Sequence, residues 1–351
     1  MIFYFGVERG PGNLVFGGKV GERWVNVRRI KLDRPHAQIR AKIIPLDEDH
    51  VSIDLGSGSA ISYRTEIPLD RARTLSSFGE WKVGQQKTAN DSEHYRPPLR
   101  SLDGLPVLGP LAAADLIYDF GMHIGSDTEF YLKKGFRVVA VEANPVLADA
   151  AAFRFRNWVN IGRLVILNIG VGSSAGTFAF YVNKTHSEWS SFNREIASRG
   201  HPVDTKEVHT IPPKQMFAAF GSPYFVKIDI EGHDHLVIDA AIELPTPPTY
   251  ISFENGDIAL FETLAKAGYD AFKLINQRTV PEIAQASPAL EGLTIDYEFP
   301  FGSSGPFGEE TPGCWKETGA MRNFLHGHFE RRALLTGPDV DWWDLHARRR
   351  R

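Results

Sequence analysis

Two glycines and three acidic residues in the middle of the chain have the types and spacing of a site for a nucleotide-like ligand. Asp119, Gly121, Gly125 and Asp127 follow a short apolar run, and Glu142 lies 23 residues after Asp119. Glycines let the backbone pass close to a ligand, and a carboxylate about 20 residues further along binds ribose hydroxyls. The pattern therefore predicts a site for an adenosine-containing ligand.

The charge around these glycines distinguishes two cofactors. A dinucleotide binds through its pyrophosphate, which favours a third glycine and free N–H groups at a helix start, without nearby carboxylates. Here the third glycine is missing, and Asp119 and Asp127 flank the loop. The sulfonium cation of S-adenosyl-L-methionine tolerates such carboxylates, so the sequence favours that cofactor. The residues predicted to bind it are Asp119, Phe120, Gly121, His123, Gly125, Ser126, Asp127, Glu142, Ala143, Asn144, Gly170 and Val171.

A second stretch, VKIDIEGHD, carries residues suited to acid–base chemistry. Because side chains alternate along a strand, Asp229 and Glu231 are expected to face the same side near the carboxyl end of that strand. Buried carboxylates without partners would be costly, so they contact a cation, a ligand hydroxyl or backbone donors, or they are solvated. We hypothesise that Asp229, Glu231 or His233 is the catalytic base that removes a proton from the substrate.

A metal-assisted version of the same chemistry uses the next predicted strand, which ends on Glu254 and Asn255. Hard oxygen ligands of this kind select Mg²⁺ or a similar ion, which would lower the pKa of a substrate hydroxyl. The candidate metal ligands are therefore Asp229, Glu254 and Asn255, with Glu231 as the alternative to Asn255.

A parallel sheet with crossover helices would bring these residues together. Residues 116–118 read as a strand, Ser126 or Asp127 as the cap of a helix that ends at Gly135, and residues 137–141 as a second strand. This βαβ unit places the glycine loop at the carboxyl edge of the sheet. The predicted fold class is α/β, a Rossmann-like domain with a central, mostly parallel sheet and helices on both faces. Further strands are predicted at 164–169, at 206–211 (an edge strand), within the stretch 224–234 and at 249–253, and helices at 145–158, 213–220, 234–241 and 257–267.

Outside this region the sequence changes character. Residues 1–90 contain short, partly alternating apolar runs, which predict a small β-rich domain, a sandwich or barrel. A glycine-rich stretch at 54–60 imitates the cofactor loop, but β-like sequence follows it, so we interpret it as a hairpin turn. Residues 91–110 are expected to be a linker, and residues 111–351 the α/β domain with a C-terminal extension. A long polar and aromatic segment at 185–202, THSEWSSFNREIASRGHP, is typical of a substrate lid.

Composition limits the classes of partner. The chain has 351 residues, a net charge of −4 and a single cysteine, Cys314. The charge gives no footprint for nucleic acid, and one cysteine permits no intrachain disulfide, so a reducing cytoplasm is the expected location. No apolar run approaches the roughly 20 residues that span a bilayer, and the N-terminus lacks the features of a secretory signal.

The region from about residue 115 to 270 resembles the FkbM family of S-adenosyl-L-methionine-dependent methyltransferases. The resemblance rests on YDFGMHIGSDTEFYLKKGFRVVAVEANP, NIGVGSSAGTFAFYV and VKIDIEGHD followed by ISFEN. It implies a Rossmann-like fold, cofactor contacts at Asp119, Gly121, Gly125 and Glu142, and methyl transfer, usually to a hydroxyl of a sugar or natural-product scaffold.

The leading prediction is therefore an O-methyltransferase that modifies a saccharide or glycosylated metabolite, with the N-terminal region assisting substrate binding or dimerisation. Two alternatives stay open. One is an NAD-dependent oxidoreductase, which the carboxylates around the glycine loop disfavour. The other is a carbohydrate-binding protein whose methyltransferase-like domain is inactive, which the acidic set from Asp119 to Glu231 disfavours.

Overall fold

The computed structural model describes residues 95–105, 111–254, 257–333 and 342–350, together with the backbone of six strands among the first 68 residues. The chain divides into two compact units, residues 1–95 and 96–351. The first unit contains two antiparallel three-stranded sheets in which each strand pairs with the next along the chain. Its strands are β1 (Ile2–Val7), β2 (Asn13–Val20), β3 (Arg23–Lys31), β4 (Lys42–Pro45), β5 (His50–Asp54) and β6 (Arg64–Pro68). The glycine-rich stretch that follows β5 lies outside the described residues.

The second unit is built on an eight-stranded sheet. Its strands in chain order, with those of a smaller sheet, are β7 (Leu116–Phe120), β8 (Arg137–Val141), β9 (Leu164–Leu167), β10 (Gly170–Val171), β11 (Gly176–Asn183), β12 (Val203–Ile211), β13 (Phe225–Ile228), β14 (Tyr250–Glu254), β15 (Ala271–Asn276), β16 (Lys316–Glu317) and β17 (Trp343–Arg348). The spatial order of the large sheet is β16-β15-β17-β14-β13-β7-β8-β9. Strands β7, β8, β9, β13 and β14 run parallel, and β17 is inserted antiparallel between β14 and β15.

The order of the strands reverses between β7 and β13. The chain proceeds from β7 outward to β9 and later returns to place β13 on the other side of β7. Ligands of open α/β sheets bind in the crevice at such a reversal, beyond the carboxyl ends of the strands. The glycine loop follows β7 and the VKIDIEGHD acids follow β13, so the topology brings the two predicted chemical stretches to one crevice.

Helices cover both faces of the sheet. They are α1 (Ser126–Lys133), α2 (Pro145–Arg154), α3 (Arg156–Asn160), α4 (Arg194–Ser198), α5 (Pro213–Phe220), α6 (Asp234–Ile242), α7 (Ile258–Lys266) and α8 (Thr318–Ala333). Because side chains alternate across a strand, Ile117 packs with α1 and α2 on one face, whereas the neighbouring Tyr118 packs with α5 and α6 on the other. The predicted α/β, Rossmann-like fold class is confirmed.

Several local predictions need correction. Neither Ser126 nor Asp127 caps α1; Gly125 occupies the cap position with a φ of 81° and no side-chain hydrogen bond. Residues 206–211 do not form an edge strand, because β12 is the central strand of the small sheet β10-β12-β11. Strand β13 ends at Ile228, so Asp229 and Glu231 lie in the turn after the strand and strand alternation does not orient them. The segment containing Trp343 is β17, a strand that the sequence did not predict.

Candidate active site

A cavity of about 590 Å³ lies at the crevice between β7 and β13. Eight of the residues predicted to bind the cofactor line it: Gly121, His123, Ser126, Asp127, Glu142, Ala143, Gly170 and Val171. The three candidate bases, Asp229, Glu231 and His233, line it as well, together with Glu254. The structure thus brings the two chemical stretches of the sequence to the wall of one cavity.

The glycine loop approaches the turn after β13 closely. Gly121 has a φ of 82°, a conformation that favours glycine, and a Cβ atom added there would overlap the carbonyl oxygen of Asp229. The backbone N–H groups of Gly121 and Met122 both donate to the carbonyl oxygen of Val141, at 3.0 Å. The loop is therefore fixed between β8 on one side and the Asp229 turn on the other.

Glu142 is held in place by backbone donors. One carboxylate oxygen accepts from the N–H of His123 and the other from the N–H of Asn144, each at 2.7 Å. The side chain is buried, and burial raises its pKa to about 7, although these two donors act in the opposite direction. Each oxygen keeps a second lone pair, so the carboxylate can still accept from the hydroxyl groups of a ligand.

Four predicted cofactor residues do not line the cavity and lie behind its wall instead. Asp119 is fully buried and accepts from the Thr128 hydroxyl at 2.6 Å. Phe120 is also fully buried, in the hydrophobic core. A Cβ atom at Gly125 would meet the ring of Phe155. Asn144 caps α2, as the sequence predicted, through a 3.1 Å hydrogen bond from the N–H of Val146.

Lys227 lies at the centre of the acidic residues and was missed by sequence reasoning. Only 3% of this residue is exposed. Its ammonium nitrogen is 3.3 Å from Asp119 Oδ1, 3.6 Å from Asp229 Oδ2 and 4.0 Å from Asp127 Oδ2. Burial alone would lower its pKa, but these carboxylates raise it above its ordinary value. A charged residue inside the apolar run YFVKI was the available signal, because a lysine in a buried strand requires a partner.

Asp127 serves the site from the start of α1. Its carboxylate accepts from the backbone N–H of Ser304, at 3.0 and 3.1 Å. Burial raises the pKa of Asp127 to about 6, since Lys227 offsets only part of the cost of its charge. Because the Asp127 carboxylate accepts from Ser304, in a distant C-terminal loop, it does not cap its own helix α1.

Glu231 follows the strand in a left-handed conformation, with a φ of 49°. Arg199 donates to its carboxylate at 2.5 Å, and the Ser191 hydroxyl donates to its backbone oxygen at 2.8 Å. Burial and the charge of Asp229 raise the pKa of Glu231 to about 7. Both donors belong to the segment 184–202, which therefore closes the cavity on the side of the β13 turn. Arg199 is a second cavity residue that sequence reasoning missed.

His233 has the orientation of a usable base. Its Nδ1 lies 2.8 Å from the carbonyl oxygen of Val171, and its ring stacks on Phe192 with an interplanar angle of 5°. Because a carbonyl oxygen only accepts, Nδ1 carries the proton in this hydrogen bond. In the tautomer that this hydrogen bond selects, Nε2 is the nitrogen that can accept.

Aromatic side chains form the outer walls of the cavity. Trp189 stands on the 184–202 segment, with His186 stacked on it at 4.0 Å. This segment also contacts the glycine loop, because His123 Nε2 and the Ser187 hydroxyl oxygen are 2.7 Å apart. Phe301, 70% exposed, and Trp342 come from the C-terminal part of the chain and also line the cavity.

The residues proposed as metal ligands do not assemble into a metal site. In the part of the chain that the structure describes, no group of three His, Cys, Asp or Glu side chains is arranged to hold a metal ion. Asp229 faces the ammonium of Lys227, and burial raises the pKa of Glu254 well above its ordinary value, with Asp229 and Glu231 adding to the effect. Asn255 lies outside the described residues. The donors present therefore do not fit Mg²⁺.

Comparison with known proteins identifies the domain. Residues 119–277 match the family described as the methyltransferase FkbM domain. No curated protein matches the chain. Among the helices of the described residues, none is long and apolar enough to cross a membrane.

Similar solved structures are distant. One is a precorrin-6y C5,15-methyltransferase from Geobacter metallireducens, with 12% identity, 68% of this chain and 83% of that chain covered, and a TM-score of 0.33. A SAM-dependent O-methyltransferase from Thermotoga maritima shows 10% identity, coverage of 69% and 62%, and a TM-score of 0.28. A Haemonchus contortus phosphoethanolamine N-methyltransferase in complex with S-adenosyl-L-methionine shows 10% identity, coverage of 69% and 50%, and a TM-score of 0.30.

The family match covers the glycine loop, Glu142 and the turn after β13, which are the segments on which the sequence resemblance rested. The resemblance is therefore confirmed. Over residues 119–277, this chain is similar to the methyltransferase domain of the FkbM family.

Proposed function

We propose that this protein is an S-adenosyl-L-methionine-dependent O-methyltransferase that acts on a hydroxyl group of a saccharide or glycosylated natural product. The observation that carries the proposal is the fixed carboxylate of Glu142 on the cavity wall, beside the glycine loop of a methyltransferase domain. A carboxylate in this place suits the two hydroxyl groups of a ribose. Gly170 and Val171, which also line the cavity, would then contact the adenine.

The acidic part of the cavity supports a cofactor that carries positive charge. Asp127 and Asp229 line the cavity next to Gly121, and within the described residues the ammonium of Lys227 is the one cation that forms ion pairs with them. The sulfonium and the amino group of S-adenosyl-L-methionine would meet a negative potential here. A pyrophosphate would be repelled, which disfavours NAD.

The bound cofactor supplies an activated methyl group, and the residues of the chain position the acceptor and take its proton. In-line displacement requires little more than a correctly placed nucleophile and the exclusion of water. His233 is the base that the geometry favours, because the carbonyl of Val171 fixes its tautomer and leaves Nε2 as an acceptor. Nε2 of His233 would take the proton of the acceptor hydroxyl, and the cofactor would supply the methyl group through cleavage of its carbon–sulfur bond and leave as the neutral thioether.

The aromatic walls support a glycosylated acceptor. Trp189, Phe301 and Trp342 all line the cavity. The rings of Phe301 and Trp342 contact each other at 5.8 Å, and Phe301 projects into solvent. Exposed aromatic faces beside carboxylates suit a ligand that has both apolar ring faces and hydroxyl groups, as sugars do.

Calorimetric titration of the purified protein with S-adenosyl-L-methionine, repeated with NAD, tests the proposal. We expect micromolar affinity for the first ligand only, and a loss of at least about tenfold in Glu142→Ala. Glu291→Ala is the matched control, because Glu291 is a buried carboxylate that also accepts a backbone N–H but lies outside the cavity wall. Tight binding of NAD, or equal losses in the two variants, would contradict the proposal. After binding is established, labelled cofactor and a panel of glycosides identify the acceptor.

A further inference from the structure

Lys227 is the one buried lysine that faces the cavity among the residues that the structure describes. The ammonium group donates to the carbonyl oxygen of Gly121 at 2.9 Å. It also lies within 4.0 Å of three carboxylates, those of Asp119, Asp127 and Asp229. A single cation therefore has four oxygen neighbours, which come from β7, α1, the glycine loop and the turn after β13.

These four oxygens belong to the two parts of the site that must keep a fixed separation. Gly121 is in the loop that approaches the cofactor, and Asp229 begins the turn that carries the candidate bases. The two backbones are already in contact, because no Cβ atom fits between Gly121 and the Asp229 carbonyl. Without a cation, the three carboxylates would repel one another across this contact.

A second buried lysine shows what is specific to this arrangement. Lys134 is 2% exposed, and its ammonium lies 2.8 Å from a single carboxylate, that of Glu310. It does not line the cavity. Lys134 is therefore as buried as Lys227 and also forms an ion pair, but it does not connect two loops of the cavity.

We propose that Lys227 is the positioning residue that holds the cofactor loop and the Asp229 carboxylate in register, as a built-in cation where the sequence had suggested a divalent metal. This inference rests on the proposed function. It predicts a specific defect: loss of Lys227 disturbs the cavity near Gly121 and Asp229, where the methionine end of the cofactor would lie. The adenosine end, near Glu142, is affected less.

The test compares Lys227→Ala with Lys134→Ala. Calorimetry measures the affinity of each for S-adenosyl-L-methionine and for methylthioadenosine, which shares the adenosine but lacks the sulfonium and the amino-acid chain. For Lys227→Ala we expect a loss of at least about tenfold for the first ligand and less than about threefold for the second. Lys134→Ala should bind both ligands as the wild type does. Ethylammonium chloride, which can fill the vacated space, should restore part of the affinity in Lys227→Ala only.

The outcomes separate the two proposals. No binding of S-adenosyl-L-methionine by the wild type refutes the proposed function itself. Wild-type binding with equal losses for both ligands, or an unchanged affinity in Lys227→Ala, overturns the role of Lys227 alone. If Lys227→Ala does not fold, Lys227→Met, which keeps the alkyl volume, replaces it. A further test needs only the wild type: its affinity for S-adenosyl-L-methionine should be unchanged after exhaustive chelation of metal ions. A loss of affinity that added Mg²⁺ reverses would also overturn the inference.

Discussion

Two groups of acidic side chains occupy the α/β unit, and their surroundings differ. The rim acids are Asp127, Asp229, Glu231 and Glu254, which line the cavity, and Asp119, which lies behind its wall next to Lys227. The loop acids lie in the C-terminal segment and consist of Glu291, Glu309 and Glu310. Both groups are at least partly buried, but each loop acid accepts from two or more protein donors, although the Oε2 oxygen of Glu310 has no hydrogen-bond partner among the described residues.

The loop acids form a structural network. Glu309 accepts from Tyr250, Trp315 and Arg348, at 2.7 to 2.9 Å. Glu310 accepts from Lys134 and from two backbone N–H groups, and Glu291 accepts from the Tyr224 hydroxyl and the N–H of Glu309. Buried carboxylates with this many donors stabilise the fold and leave little capacity for a ligand.

The rim acids are less well compensated. Burial raises the pKa of Asp127 to about 6 and that of Glu231 to about 7, and it raises that of Glu254 well above its ordinary value. Lys227 and Arg199 are their cationic partners in the described residues. Groups that the fold leaves short of positive charge are typical of functional sites. The comparison teaches that the number of protein donors, more than burial, distinguishes the structural network from the acids of the cavity.

The largest expected contrast comes from one glycine in each region. Gly121→Ala places a methyl group against the backbone oxygen of Asp229, and Gly308→Ala places one against the carboxylate of Glu291, both at positive φ. We expect Gly121→Ala to lose measurable cofactor binding, because the cofactor loop must move. Gly308→Ala should instead unfold at a lower temperature and keep wild-type affinity. Calorimetry and thermal melts provide both readouts, and loss of binding in the folded Gly308→Ala protein would break the distinction.

Charge removal should give the next largest contrast. Glu310→Ala leaves the buried ammonium of Lys134 without its carboxylate, which costs about 3–5 kcal/mol of the free energy of unfolding. Asp229→Asn should cost about 1 kcal/mol or less, because this side chain is 31% exposed and Lys227 keeps Asp119. Its effect should fall on methyl transfer, reduced about 100-fold, because a carboxylate at the cationic end of the cofactor is lost. Denaturant titration and transfer of labelled methyl to a glycoside measure the two effects. Similar losses of unfolding free energy in Glu310→Ala and Asp229→Asn would show that the rim acids also stabilise the fold.

The parts of the fold that the sequence predicted well are local. The strand at 137–141, the helix at 213–220, the stop at Gly135 and the cap at Asn144 all occur where neighbouring residues determine the conformation. The same holds for the crevice, because the carboxyl ends of parallel strands meet at one sheet edge. Glu142 and Glu231 could therefore be assigned to one site from sequence alone.

The parts that were missed depend on residues far apart in the chain. Strand β17 is short and contains Asp344 and His346, and it becomes a central strand only because β14 and β15 bind its two edges. Asp127 was expected to cap α1, but its partner is the N–H of Ser304, 177 residues away. Asp344 hydrogen-bonds the Ser304 side chain. It was not predicted to belong to the site, because this contact also joins segments that are far apart in the chain. No periodicity or spacing encodes such contacts.

The smallest contrast is in pH dependence. The pKa of Glu231 is raised in the folded state from an ordinary value of 4.5 to about 7, so between these values the folded protein holds a proton that the unfolded chain releases. Its contribution to stability is therefore present at low pH and declines as pH rises, by up to about 1.4 kcal/mol per unit.

For Glu309, burial alone would raise the pKa, but Arg348, Trp315 and Tyr250 lower it, so its contribution is lost only as pH falls through the acidic range. Between about pH 5 and pH 7.5, the unfolding free energy of the wild type should therefore decrease relative to Glu231→Gln and stay constant relative to Glu309→Gln. Parallel denaturant titrations measure both differences in unfolding free energy. If neither difference changed with pH, the electrostatic distinction between the rim acids and the loop acids would be wrong.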